Sequence, residues 1–442
     1  MQIQLSDHFT LKKLLRFVLP PVVMMMFTSI YSVVDGFFVS NYAGETALAA
    51  INLVFPLIMA LGAIGFMIGT GGSALVAKML GEGNKEHANR VFSMLVYVSI
   101  GFGAALTAIG QAVIEPVTRL FGAEGELLSR GVLYARILLG TLTAFMLQNI
   151  FQSFFITAEK PRLGLVVTVA AGVLNIVLDA LFVGVFGWKL VGAAAATAIS
   201  QVVGGVLPLF YFMKKNNSLL RLTRAKIEWR LLGKTCANGS SELMTNISSS
   251  VVTMLFNAKL LALAGESGVA AYGCIMYVSF LFAAVFIGLS IGSAPVVSYH
   301  YGAQNRAELK SLLRKCLGII GVLSVAMFGL AEGLSEPLSR LFVGYSQDLL
   351  DLTIRGFRLY SFAFLLIGIN IFGSGFFTAL NNGVVSAIIS FLRTLLFQVA
   401  AILLLPIFLG IDGVWLAVVA AETLSLLVTG GFLIGERRRY GY

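Results

Sequence analysis

Apolar positions in this chain gather into long unbroken runs, separated by short clusters of charged and turn-forming residues. Runs of spanning length fall at about 14–40, 46–75, 91–115, 131–157, 163–186 and 190–213, then at about 236–264, 268–300, 314–334, 353–379, 384–409 and 412–435. At about 1.5 Å rise per residue, roughly twenty residues cross the hydrocarbon core of a bilayer, so each run predicts a transmembrane helix. In lipid the backbone must bond to itself, which a helix achieves within one segment. The first run follows Lys12, Lys13 and Arg16 and imitates a signal peptide. It continues well past the short apolar stretch of such a peptide and carries Asp35, which predicts a retained first helix.

The pattern repeats. Glu115–Phe121 reads EPVTRLF and Glu336–Phe342 reads EPLSRLF, an offset of 221 residues. Asn149–Ala158 (NIFQSFFITA) and Asn370–Ala379 (NIFGSGFFTA) share that offset, as do Gly81 with Asn84 and Gly302 with Asn305. Six spans per repeat return the chain to the side where it started, so both halves enter the membrane in one orientation. The expected fold is an all-α polytopic membrane protein. Its twelve transmembrane helices form two six-helix bundles related by a pseudo-two-fold axis along the membrane normal, with the substrate path between them. The expected division is an N-lobe (1–213, helices 1–6), a basic cytoplasmic linker (214–234) and a C-lobe (235–442, helices 7–12).

Charge fixes the orientation. Of the 31 Lys and Arg residues, 22 fall at the two termini and in the loops after spans 2, 4, 6, 8 and 10. Both termini are therefore expected in the cytoplasm, in a multi-pass protein of the inner membrane. The net charge of +10 is then a topology signal rather than a nucleic-acid patch. The composition agrees: 58% of residues are hydrophobic and 12% charged, against about 25% charged in soluble domains. The linker carries seven basic residues and one acid. Leu222, Ile227, Trp229 and Leu231 interleave with the charges, which suggests an amphipathic helix lying on membrane lipids. Cys236, Cys274 and Cys316 have neither metal spacing nor a paired framework. No P-loop is present, and His8, His87 and His300 stand in no catalytic order, so no enzyme is expected.

The candidate chemistry lies inside the spans. In LVVTVAAGVLNIVLDALFVGVF (Leu165–Phe186), Asn175 and Asp179 share one helical face with Thr168 and Gly172. An aspartate at mid-membrane costs on the order of 3 kcal/mol and normally marks an ion or substrate path. Asp35 in span 1 and Thr197 in span 6 belong to the same half. Asp35, Asn175, Asp179 and Thr197 together make a hard-oxygen set suited to sodium. The same two carboxylates, desolvated and close, could carry a proton instead. The repeat maps these four onto Phe256, Leu396, Ala400 and Val418, so the set is absent from the second half. That half holds Glu242, Arg393 and Glu422, which read first as a structural charge cluster, with substrate contact as the alternative. Asn149, Gln152, Glu242 and Asn370 are candidates for a substrate cavity. Pro20 and Pro21 free backbone carbonyls in span 1, and Pro20 is the candidate hinge. Lys259 and Arg393 are the two basic residues placed inside spans.

These residues resemble the MATE (multidrug and toxic compound extrusion) family over the whole chain. VVDGFFVSNYAGETALAAINL around Asp35 is similar to the family's first-helix region. The Asp35–Asn175–Asp179–Thr197 set is similar to the N-lobe cation site of prokaryotic members, and Pro20 falls at the first-helix proline. The segments, with Glu242 in span 7, are most similar to the MepA-like bacterial subgroup. The chain departs from relatives that carry a span 10 aspartate in a second-lobe cation site; Asn370 stands there. The resemblance implies a V-shaped pair of bundles exporting amphiphilic, often cationic, drug-like compounds against inward proton or sodium flow. No further cofactor and a monomeric state are expected. The rival readings are a lipid or oligosaccharide flippase of the same superfamily, and a membrane enzyme or receptor without net transport.

Overall fold

The structure is a computed structural model, and it describes residues 3–39, 42, 45–120, 122–343 and 346–442. Positions 40, 41, 43 and 44 of the segment after Asp35, and Phe121 of the first EPVTRLF copy, lie outside the described residues. The chain is helical almost throughout. In order, the elements are α1 (Leu11–Phe38), α2 (Glu45–Gly81), α3 (Lys85–Leu120), α4 (Gly125–Gly140), α5 (Leu142–Thr157), α6 (Pro161–Asp179) and α7 (Lys189–Met213). Then come α8 (Trp229–Gly302), α9 (Arg306–Val343), α10 (Gln347–Ser361), α11 (Phe364–Ala379), α12 (Gly383–Phe391), α13 (Phe397–Leu409), α14 (Ile411–Gly435) and the short α15 (Arg437–Tyr440). Two stretches widen into π-helix: Ala180–Val185, continuing α6, and Leu392–Leu396, joining α12 to α13.

Among the described residues, nine helices are each long and apolar enough to cross a membrane, and two bent pairs raise the number to 11. The pairs are α4 with α5, bent by 53°, and α10 with α11, bent by 47°. They occupy equivalent places in the two halves. The 74 residues of α8 would extend about 110 Å if straight, far beyond a bilayer. Instead Gly265 adopts φ 61°, ψ −152°, outside helical geometry. Phe256 and Tyr272 on either side of it stack with ring centroids 5.3 Å apart, so the chain folds back on itself. The arms 229–264 and 266–302 are spans 7 and 8, and counting them separately gives twelve candidate crossings among the described residues. Lys259 sits within two turns of this reversal, at the end of a span rather than inside it.

The repeat is visible in local structure. Prolines at 116 and 337 lie inside α3 and α9, and ion pairs Glu115–Arg119 (2.9 Å) and Glu336–Arg340 (2.6 Å) occupy the matching turns. Gly83 and Gln304, 221 residues apart, both take positive φ (81° and 56°) in matching loops.

The halves touch through bare backbone. A Cβ on Gly239 would stand 1.9 Å from the Met67 carbonyl oxygen, and one on Gly81 2.0 Å from that of Tyr299. α2 therefore packs directly on both arms of α8 near the ends carrying residues 81, 235 and 302. α1 joins them, with Val22 against Gly288 and Pro21 against Gly292.

The segment before α1 also ties the halves together. Leu5 and Phe9 are fully buried with the second half's core. The Leu5 N–H donates to Glu159 in the first half (2.6 Å), and the Phe9 N–H donates to Glu308 in the second (2.9 Å). The 214–228 stretch corrects an expectation: it forms no amphipathic helix. Leu220 is buried against α3. Its neighbours' amides are taken by side chains of α3, Arg221 N–H by Asn89 (2.7 Å) and Thr223 N–H by Ser93 (2.8 Å). Those bonds replace helical ones, so the chain stays non-helical until Trp229.

Candidate functional site

Helix 1 meets helix 6 at Gly172. A Cβ there would lie 2.5 Å from the Phe27 ring and 2.9 Å from the Tyr31 ring. The bare glycine thus lets the two helices close, and two turns further along both of them the approach delivers Asp35 to Asp179. The two carboxylates meet directly, and the Thr197 hydroxyl reaches Asp35. Asn175 donates from Nδ2 to Thr197 Oγ1 at 3.5 Å. The structure therefore brings together all four residues singled out in the first half.

The cluster has fewer donors than acceptors. Both carboxylate oxygens of Asp179, Asp35 Oδ1 and Asn175 Oδ1 are buried with no hydrogen-bond partner among the described residues. Buried polar atoms are normally paired, so four orphaned oxygens converging on one place call for a positive species. Two carboxylates, an amide oxygen and a hydroxyl fit a monovalent cation bound through oxygen, and a proton shared by the acids also satisfies them. Tyr31, one turn before Asp35, and Tyr134 on α4 lie close enough to feel the acids. Tyr31 could have been found by its i−4 spacing; Tyr134 gave no sequence signal. The π-helix begins at the residue after Asp179, an irregularity often found at functional sites.

The second half encloses a cavity of about 290 Å³ between spans 7, 8, 10, 11 and 12. Arg393, carried by the second π-helix, donates from Nε to both carboxylate oxygens of Glu422, at 2.9 and 3.1 Å. Asn370 Nδ2 donates to the same carboxylate at 2.7 Å. Glu242 lines the same cavity and forms no ion pair within 4.0 Å among the described residues, though it lies close enough to Arg393 to feel its charge, so the anticipated three-residue cluster is a bonded pair with a third acid beside it. Gln398, missed in the sequence because it is a lone amide in an apolar run, also lines the cavity with Oε1 buried and unpartnered.

The other cavity candidates go elsewhere. Asn370 gives Nδ2 to Glu422 and is fully buried, with Oδ1 lacking a partner among the described residues. Gln152 borders a void of about 10 Å³ between α5, α6 and α7, room for one water. Asn149 is buried where its backbone carbonyl packs on Gly69. Spacing placed these residues on helices but not on a common wall with Glu242, because the faces they occupy are used for helix packing. Pro20 lies inside an α1 assigned as one continuous helix.

With this geometry established, comparison with other proteins gives a consistent picture. The sequence pattern of the MatE family matches residues 20–181 and again residues 243–403, one match in each half. Multidrug export protein MepA of Staphylococcus aureus (strain MSSA476) is 23% identical over 417 residues, covering 94% of this chain and 92% of that protein. MepA of Staphylococcus saprophyticus is 23% identical over 423 residues, with the same coverage. Among solved structures, MATE in complex with MaL6 superposes with a TM-score of 0.92 at 25% identity, covering 98% of this chain and 97% of that one. The outward-facing conformation of a MATE family multidrug resistance transporter gives a TM-score of 0.91 at 25% identity, covering 98% and 96%. A helical membrane protein with the MatE pattern in both halves and this architecture along nearly its whole length belongs to the MATE family of transporters.

Proposed function

We propose that this transporter exports amphiphilic, cation-bearing organic compounds in exchange for inward proton or sodium flow, and that Asp35, Asn175, Asp179 and Thr197 are its coupling site. The observation carrying this reading is the direct contact of two carboxylates, three of whose four oxygens are buried without a donor among the described residues. Either ion relieves their repulsion. A cationic compound acts as the third competitor, directly or through the conformation of the lobe, and release of one by another is the exchange. The names of the MepA relatives support multidrug export.

The reading takes residues 1–213 and 235–442 as two lobes that rock about their contact, with Pro20 as hinge. Both termini lie in the cytoplasm, which makes the glycine contacts between α2 and α8 the cytoplasmic seal. The protein acts as a monomer in this account, and the cavity beside Glu242 is its substrate chamber.

The test is export from proteoliposomes, first under a proton gradient without sodium, then under a sodium gradient at matched pH. Asp35→Asn and Asp179→Asn are each expected to abolish gradient-driven export while leaving folded protein in the membrane. If the double variant is driven by both gradients as well as the wild type is, coupling lies elsewhere.

A further inference from the structure

Basic residues of the 214–228 stretch gather against the start of α3 instead of scattering into solvent. Arg221 and Arg224 stand with Lys85 and Arg90 around a groove of about 540 Å³, and Glu86 is the acid among its lining residues. The three arginines are exposed, and among the described residues none of them has an acid partner. Lys85 is near enough to Glu159 to feel its charge. Glu228, further along, is taken by His87 at 3.4 Å. Side chains fix the backbone around the groove. Besides the bonds from Asn89 and Ser93, Asn216 Oδ1 accepts both the N–H (3.0 Å) and the hydroxyl (2.7 Å) of Ser218. The groove also sits where a membrane surface would. Trp229, 74% exposed, follows its linker wall, and tryptophan is enriched where headgroups meet hydrocarbon. From Arg90, the residues Tyr97, Gly101, Ala104 and Ala108 continue along one exposed face of α3. At about 1.5 Å per residue that face runs about 27 Å into the span.

We propose that this groove seats the phosphate of an anionic phospholipid, with the acyl chains lying along the exposed face of α3. Three guanidinium groups and an ammonium against one acid complement a phosphodiester, whose two free oxygens match the arginine fork. A choline head brings its own cation into the same ring of bases and is disfavoured. A free phosphate would answer the bases but leave the apolar face uncovered, which is what favours the lipid. The lipid then holds the 214–228 stretch to span 3 at the membrane surface, a task the sequence assigned to an amphipathic helix. This inference goes beyond the exchange proposed above, because binding needs no gradient, no cargo and no choice of membrane side.

The experiment is native mass spectrometry of the delipidated full chain in detergent, titrated with dioleoyl phosphatidylglycerol or dioleoyl phosphatidylcholine. The first phosphatidylglycerol is expected to bind at least about tenfold more tightly than the first phosphatidylcholine. The triple variant Arg90→Gln/Arg221→Gln/Arg224→Gln should lose that preference, and Arg90→Gln alone should lose part of it. A second triple, Lys12→Gln/Lys310→Gln/Arg438→Gln, removes the same charge from exposed positions elsewhere and should keep it. Both triples alter exposed side chains, so both should keep the wild-type Tm without lipid. Equal affinity for the two lipids overturns the proposal, and so does a preference that survives in the groove triple. An equal loss in both triples shows general charge attraction in place of a site and overturns it too. Displacement of phosphatidylglycerol by excess inorganic phosphate would make the occupant a free phosphate and overturn the lipid assignment.

Discussion

At the scale of single residues, the outcome turns on which buried polar atoms find partners. Arg393 and Glu422 are a buried pair, with side chains 16% and 3% exposed. Deleting one member of such a pair costs about 3–5 kcal/mol, because the other is left buried and charged. Arg393→Ala should therefore lower the yield of folded protein, and adding Glu422→Gln should restore part of it. The rescuing position follows from the structure, since Glu242 is not the paired acid. Recovery measured by fluorescence-detected size exclusion checks this, and equal recovery of Arg393→Ala and wild type would refute it. Glu159 makes a second case, outside the membrane. Burial pushes its carboxyl above the ordinary glutamate range; the Leu5 N–H bond pulls it back, Asp7 adds to the rise, and Lys160 and Lys85 oppose it. A raised value means that the folded protein keeps this proton to higher pH than the unfolded chain does. The stability contributed is full below the unfolded value and is lost as pH rises through the folded one. Between about pH 4 and about pH 8, the Tm of the wild type should fall relative to that of Glu159→Gln. Parallel curves would remove Glu159 as the source.

At the scale of elements, helices meet where glycine removes the side chain, and these meetings place the chemistry. Gly172 brings α1 onto α6, so that Asp35 reaches Asp179. Gly239 and Gly81 bring α2 onto α8. A methyl group on Gly239 has nowhere to go, because the obstacle is the backbone of Met67. Gly239→Ala should force the lobes apart at this end, and overpacking of this kind typically costs about 1–3 kcal/mol. Spin labels at positions 82 and 303, both exposed, should report a longer distance in this variant. An unchanged distance with unchanged Tm would show that the contact is not a seal. The spans themselves were legible because they follow from run length alone. The reversal at Gly265 was legible too, in the gap between the runs ending at 264 and starting at 268, but neither π-helix has a distinctive sequence. The linker misled for a related reason. Its alternating charges suit a lipid-surface helix, but Asn89 and Ser93 on α3 offered its backbone better partners.

At the scale of the whole molecule, orientation is the remaining expectation. With the native cysteines replaced, Lys226→Cys places an exposed thiol in the 214–228 stretch. It should react in intact cells only with membrane-permeant reagents, and labelling by an impermeant reagent would invert the topology. The sequence by itself determined the membrane class, the twelve crossings and the two-fold repeat. Those depend on how far apolar runs extend and how they recur, and both are one-dimensional properties of the chain. It also marked Asp35, Asn175, Asp179 and Thr197, because a charge in lipid is costly enough to stand out wherever it occurs. Only the tertiary structure decided which charges meet. Asp35 and Asp179 lie 144 residues apart, and a glycine contact on neighbouring helices sets their approach. Arg393 pairs with Glu422 and not with Glu242, and Asn370 gives its amide N–H to that pair, while Asn370 Oδ1 and Gln398 Oε1 are both left without a donor among the described residues. Such outcomes depend on the rotation of each helix within its bundle, which side-chain packing against every neighbour fixes and residue spacing along one helix does not encode.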